Sequence, residues 1–246
     1  MLQIIAEIGL NHLGSEERAQ RMLAGLLEIS SIDAVTFQTR EDGFYKTDDP
    51  ARRRLSEGFY RRAIQAAHDK GRRLGIAICE ETDIAPFASM GVDFWKVLSW
   101  NFKNRPLTTA LQATGKPVYL STGLAAMPDI LQVSAYSRNA VLIHTQLSEK
   151  IEDVNLKAIR TIRDETGLAV AFGLHSACLD VMKTAVGFEP QSIFFYVKEE
   201  GCRGLFDDEH AVPMASAREM ATVLKNLALA LGTGRKDAMD KPTWVV

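Results

Sequence analysis

Two ionisable residues sit inside apolar runs and mark where this chain could do chemistry. The stretch Ile4-Ile5-Ala6-Glu7-Ile8-Gly9-Leu10 carries one carboxylate, and Asn11 and His12 follow at its end. A buried carboxylate is costly to desolvate, so Glu7 calls for a cationic partner, structural or catalytic. Lys96 interrupts a second apolar run, Asp93-Phe94-Trp95-Lys96-Val97-Leu98. Pointing inward, it would pair with Glu7 and could hold a carboxylate or phosphate, or form a Schiff base. Pointing outward, it would snorkel between helices. Ser121-Thr122-Gly123 places two hydroxyls on one tight turn, which suits an anion or an ordinary helix cap. His175 ends another apolar run and reads as a metal ligand or a hydrogen-bonding core histidine. His12 and His144 also end such runs, so a three-histidine metal site is geometrically conceivable. Glu80-Glu81 and Glu199-Glu200 read as loop carboxylates that could meet a sugar or a cation.

These residues need a frame that brings distant strand ends together. Strand-like runs begin near Gln3, Ala34, Leu74, Asp93, Pro117, Ala140, Ala169 and Ser192. Helical periodicity fills the gaps at 16–28, 56–70, 83–89, 106–113, 127–135, 154–165, 179–186 and 216–231. Eight βα units with nearly all-apolar strands predict a parallel (β/α)8 TIM barrel, with catalytic groups at the C-terminal strand ends. Gly9 and Gly14 do not make the glycine-rich turn of a doubly wound dinucleotide fold. The expected organisation is one barrel over 1–232 and a tail over 233–246, whose Trp244 could dock on the barrel base or on a neighbouring subunit.

Composition narrows the function classes. The 246 residues are 46% hydrophobic and 24% charged, with a formal net charge of −2, which gives no footprint for nucleic acid. Arginines at 52–54, 61–62 and 72–73 have acidic residues between them and read as a solvated face. Cys79, Cys178 and Cys202 lack metal-ligand spacing and read as reduced thiols. With no cleavable leader and no apolar run of about 18 residues, the expectation is a cytoplasmic protein without a membrane span.

The order of several segments resembles the sialic acid synthases, which condense phosphoenolpyruvate with an N-acyl sugar. The resemblance runs through IIAEIGLNHLGS, AVTFQTR, FWKVLSWNFKNRPL, TGKPVYLSTGLA and IHTQLSEKIEDVNLKAIRTIRDETGLAVAFGLHS. It implies that Glu7 is the first-strand site glutamate, with Asn11 and His12 in the adjoining loop. It implies that Lys96, Ser99 and Ser121 hold phosphoenolpyruvate, that Gln146 contacts ligand, and that His175 is the first of two ligands to manganese or magnesium. The family's second-strand lysine is Thr36 here, and its third-strand Ser-Thr pair falls around Cys79-Glu80-Glu81. Gly173 and Leu174 replace a serine and an aspartate, and Phe194-Phe195-Tyr196-Val197 takes the place of the Glu-Lys-His run that carries the second metal ligand, leaving Asp207, Asp208 or His210 to substitute. The family's C-terminal antifreeze-like domain has no counterpart in these residues. The expected function is a diverged, carbon–carbon bond-forming transferase of nonulosonic or cell-surface carbohydrate biosynthesis, acting on a small sugar-like or phosphorylated substrate. The alternative is a non-catalytic barrel that binds a sugar-like ligand or serves as a partner subunit. Assembly as a homodimer, or completion by a separate capping subunit, is the expectation for its partners.

Overall fold

Alternation of inward and outward side chains along each strand organises the molecule. The computed structural model describes residues 1–202, 204 and 206–236, so Trp244 lies outside the described residues. The strands are β1 (Gln3–Gly9), β2 (Ala34–Gln38), β3 (Arg73–Ile78), β4 (Phe94–Val97), β5 (Val118–Ser121), β6 (Val141–His144), β7 (Val170–Gly173) and β8 (Ser192–Lys198). All pair in parallel in chain order, and β1 also pairs with β8, which closes a (β/α)8 barrel. Each expected strand start lies within one residue of the observed one.

Two apolar layers follow from the period of two. Ile5, Ala34, Phe94, Tyr119, Ile143 and Phe194 fill the barrel interior. Their sequence neighbours, such as Ile4, Val35, Trp95, Leu120, Leu142 and Phe195, pack outward against the helices. Inside, space is tight enough to require glycine at position 75. A Cβ there would lie 2.3 Å from the Phe94 ring.

The covering helices are α1 (Glu16–Leu27), α2 (Asp42–Tyr45), α3 (Glu57–Asp69), α4 (Ile84–Met90), α5 (Arg105–Ala113), α6 (Met127–Tyr136), α7 (Ala158–Thr166), α8 (Asp180–Val186) and α9 (Met214–Ala230). Ser15 caps α1 and Ser56 caps α3 by accepting the backbone N–H three residues on, at 3.2 and 3.1 Å. The periodicity at 154–165 predicts a helix that starts earlier than α7 does. A single 3-10 turn (Ile151–Asp153) ends just before that range, and Asn155 adopts φ +47, a left-handed conformation that cannot continue a right-handed helix. The first two arginine runs carry surface ion pairs, for example Arg54 to Asp83 at 2.8 Å and Arg62 to Glu16 at 3.3 Å, whereas Arg72 and Arg73 donate to Ser30 O and Gln3 Oε1.

Two clasps hold the closing seam. At the mouth, Asn11 Nδ2 donates to Val197 O at 2.9 Å, and its Oδ1 accepts the Asp207 N–H at 3.2 Å. At the base, Lys225 of α9 donates to Leu2 O at 2.7 Å and to Asp33 Oδ2 at 2.6 Å. Beyond β8 the chain returns through a two-residue strand, β9 (Val212–Pro213), paired with Val197–Lys198. That return brings Phe206, Asp207 and His210 to the mouth. No described helix is long and apolar enough to cross a membrane.

Candidate active site

Glu7, Lys96, Ser121 and His175 come from four different strand ends and line one cavity of about 240 Å³ at the C-terminal mouth. Glu7 is 3% exposed and Lys96 5%. Lys96 Nζ donates to Glu7 Oε2 at 2.5 Å, and Thr36 Oγ1 donates to the same oxygen at 3.2 Å. The lysine therefore points inward and does not snorkel. Rings of Phe194 and Tyr196 flank its ammonium, with centroids 5.3 and 5.4 Å away. Where the resemblance led to a second lysine, Thr36 is a small hydrogen-bond donor to the carboxylate.

The serines make one wall of the cavity. Ser99 lines it, and its Oγ accepts the Gly123 N–H at 3.2 Å. Gly123 is fixed by crowding, since a Cβ there would come within 2.8 Å of Ser99 Oγ and 3.1 Å of Thr145 Cγ2. Thr122 Oγ1 turns away and donates to Ile143 O at 3.0 Å. Helix α6 begins only at Met127, behind the N-cap Ala126, so the Ser121-Thr122 hydroxyls do not cap it.

Three expected site residues fall outside the cavity lining. Ile143, Thr145 and Leu147 line it, whereas Gln146, between the last two, does not. Counting by two from the interior residue Ile143 would have selected Thr145, whose Oγ1 is buried without a hydrogen-bond partner. Asn11 is spent on the seam clasp. His12 packs against Phe37 in the helix-facing layer, with ring centroids 6.3 Å apart, and its Nδ1 accepts the Gly14 N–H at 3.0 Å. His144 reaches Val154 O at 2.9 Å through Nε2 and lies beside Phe172. The three strand-end histidines therefore do not converge. The paired loop carboxylates are engaged too: Glu199 holds Arg18 and Arg21, Glu200 accepts the Ala215 N–H, and Glu80 accepts the Asp42 N–H.

His175 has a neighbour that spacing alone did not single out. The His210 ring, brought in by the return from β8, lies 4.4 Å from it centroid to centroid. Burial, then the charges of His210 and Lys96, pushes the His175 pKa down to about 3, which keeps the imidazole neutral and its lone pair available. His210 Nε2 is buried without a hydrogen-bond partner and stands 3.6 Å from Asp207 Oδ1. Among the described residues no three His, Cys, Asp or Glu side chains are placed to hold a metal by themselves. The donor set fits a loosely held divalent cation on two imidazoles, its remaining positions left to substrate and water.

A rim of aromatic and cationic groups surrounds the opening. The Arg40 guanidinium lies 4.6 Å from the Phe44 centroid and 4.9 Å from that of Trp100, and it grips Glu41 through Nε and Nη2 at 3.0 and 2.9 Å. Trp100 and Phe206 are 48% and 38% exposed at this rim, and Phe194 is buried beneath Lys96.

Comparison with known proteins gives a consistent likeness. A family profile described as the NeuB family matches residues 31–236. An N,N'-diacetyllegionaminic acid synthase of Legionella pneumophila is 25% identical, over 96% of this chain and 75% of that protein. An N-acetylneuraminic acid (sialic acid) synthetase from Leptospira borgpetersenii serovar Hardjo-bovis, crystallised with citrate, superposes with a TM-score of 0.88 at 21% identity, covering 97% of this chain and 88% of that one. A putative spore coat polysaccharide biosynthesis protein E from Chromobacterium violaceum gives 0.85 at 18% identity, covering 98% and 79%.

Proposed function

The chain belongs to the NeuB family, and from that membership we propose that it forms a carbon–carbon bond in nonulosonic or cell-surface carbohydrate biosynthesis. In this reading it joins phosphoenolpyruvate, or a related three-carbon donor, to the carbonyl of a sugar-like acceptor. One observation carries the proposal. Glu7, Lys96 and His175 face a single cavity that is open at the mouth. A buried ion pair facing a cavity is an arrangement concentrated at functional sites, and it favours catalysis over plain ligand binding. The names of the relatives, a legionaminic acid synthase and a sialic acid synthetase, support the same product class.

The residues divide the work by position. Lys96, Ser99 and Ser121 would bind the donor acid through charge and hydroxyl donors. Glu7, 2.5 Å from Lys96 Nζ, would orient water or carry a proton at Oε2. Trp100 and Arg40 at the rim would meet the acceptor. His175 and His210 would hold a divalent metal, manganese or magnesium, which when bound would polarise the acceptor carbonyl as a Lewis acid.

Calorimetric titration of the protein with phosphoenolpyruvate, with and without manganese, tests donor recognition. Product analysis with N-acyl hexosamines and either phosphoenolpyruvate or an unphosphorylated 2-oxo acid tests bond formation. A new nine-carbon acid from either donor supports the proposal. If no combination yields a condensation product from folded protein, the reading fails.

A further inference from the structure

The end of β6 delivers a hydroxyl to the cavity that no contact within the barrel accounts for. Thr145 is 4% exposed and lines the cavity, yet its Oγ1 is buried without a hydrogen-bond partner. Other buried side-chain nitrogens and oxygens also lack a partner. Among the described residues, Thr145 Oγ1 is the only one of them that belongs to the cavity lining. Burying a hydroxyl unpaired is unfavourable, so this position asks for a partner that arrives from outside the chain.

Two glycines show which way the Thr145 side chain faces. Its methyl group is turned to Gly123, where a Cβ would stand 3.1 Å from Thr145 Cγ2. Its hydroxyl is turned to Gly173 at the end of β7, where a Cβ would stand 3.8 Å from Thr145 Oγ1. Gly173 lines the cavity and carries no side chain where the resemblance led to a serine. Ile143 Cγ2, 3.3 Å from the same Cβ position, bounds that space within the barrel interior. On the other side of Thr145, Ser99 Oγ accepts the Gly123 N–H at 3.2 Å and keeps its own proton to donate.

We propose that Thr145 is a donor-binding residue, whose hydroxyl donates to an anionic oxygen of the bound three-carbon acid in the space that Gly173 leaves. The inference rests on the carbon–carbon bond-forming reading above and adds a residue to its donor site. Ser99, Ser121 and Thr145 come from the ends of three successive strands and form one hydroxyl wall of the cavity. A carboxylate or phosphate oxygen has more than one lone pair and accepts from several such donors at once. A hydroxyl paired only in the complex has a distinctive signature. Its removal spares the stability of the empty protein and weakens the complex.

Binding and stability measured together on the full chain test the assignment. Phosphoenolpyruvate, pyruvate and inorganic phosphate are titrated calorimetrically, with and without manganese, into the wild type, Thr145→Val and Thr145→Val with Gly173→Ser. The expected result for Thr145→Val is a roughly tenfold loss of phosphoenolpyruvate affinity, with a urea midpoint no lower than that of the wild type. Adding Gly173→Ser returns a hydroxyl to the same corner of the cavity and should recover most of the loss. A parallel loss for pyruvate assigns the bound oxygen to the carboxylate, and a parallel loss for phosphate assigns it to the phosphoryl group. Either pattern supports the inference. Unchanged affinity in Thr145→Val overturns it. So does an affinity loss that comes with a lower urea midpoint and that Gly173→Ser leaves in place, the mark of a structural threonine. Both of those outcomes leave the carbon–carbon reading standing. If folded wild-type protein binds none of the three ligands, the donor reading and this inference fall together.

Discussion

Removing the Lys96 ammonium would leave the Glu7 carboxylate buried, with the Thr36 hydroxyl as its remaining side-chain hydrogen bond among the described residues. Orphaning one member of a buried pair costs about 3–5 kcal/mol, whereas replacing both by apolar groups of similar shape is often neutral. Lys96→Met should therefore lower unfolding free energy by about that amount, and adding Glu7→Leu should recover most of it. Urea denaturation of the wild type, Lys96→Met, Glu7→Leu and the double variant measures the coupling. His12 gives a second residue-scale expectation. Burial, then Arg18, pushes its pKa from 6.5 down to about 4. Between those values only the unfolded chain binds the proton. Its contribution is complete above pH 6.5 and is lost as pH falls toward 4, at about 1.4 kcal/mol per unit. His12→Asn should flatten the fall in urea midpoint between pH 7 and pH 5. An unchanged slope would assign it to other groups. At this scale the sequence was only partly legible. A carboxylate and a lysine stranded in apolar runs announce themselves, because both are costly to bury alone. Thr145 does not, and His210 entered only as one of three substitutes for a missing metal ligand, beside Asp207 and Asp208. The first is an unremarkable residue type chosen by strand parity, and the second reaches the mouth through a loop whose path no periodicity encodes.

Elements were easier to read than contacts. Every strand start was evident within one residue, since an all-apolar run bounded by amphipathic helices has few other solutions. The early start expected for α7 failed because Asn155 is left-handed, and nothing in its neighbours requires that. The end of β8 was harder still. Its apolar segment Phe194–Val197 looks inert, yet alternation divides it between a floor ring (Phe194), a cavity wall (Tyr196) and helix-facing packing (Phe195, Val197). Interior crowding gives a prediction here. Gly75→Ala drives a methyl group into the Phe94 ring, so it should cost about 1–3 kcal/mol while leaving the mouth residues in place. Stability and pyruvate or phosphoenolpyruvate titrations of the same variant would separate those effects. The Asn11 clasp acts differently, because it ties the first strand's loop to the last strand and to Asp207 at once. Asn11→Ala should cost about 1–3 kcal/mol by leaving Val197 O without its side-chain donor. Faster amide hydrogen exchange should then concentrate at Asp207 and along the end of β8.

Taken whole, the molecule is a ring closed by contacts between its two ends. The Asn11–Val197 hydrogen bond joins residues 186 positions apart, and the β1–β8 ladder runs from Gln3 to Glu7 against Ser192 to Tyr196. That seam has a temporal consequence. On the ribosome β1 emerges first, but the strand that covers its free edge is made last. At roughly 5–20 residues per second, the first strand waits on the order of 10–40 s for that partner. Through that interval its apolar edge can pair with any strand it meets, including the same strand of another nascent chain. Synthesis, more than the finished fold, is where this protein is most exposed to aggregation, and its yield should respond to translation speed and chaperone supply.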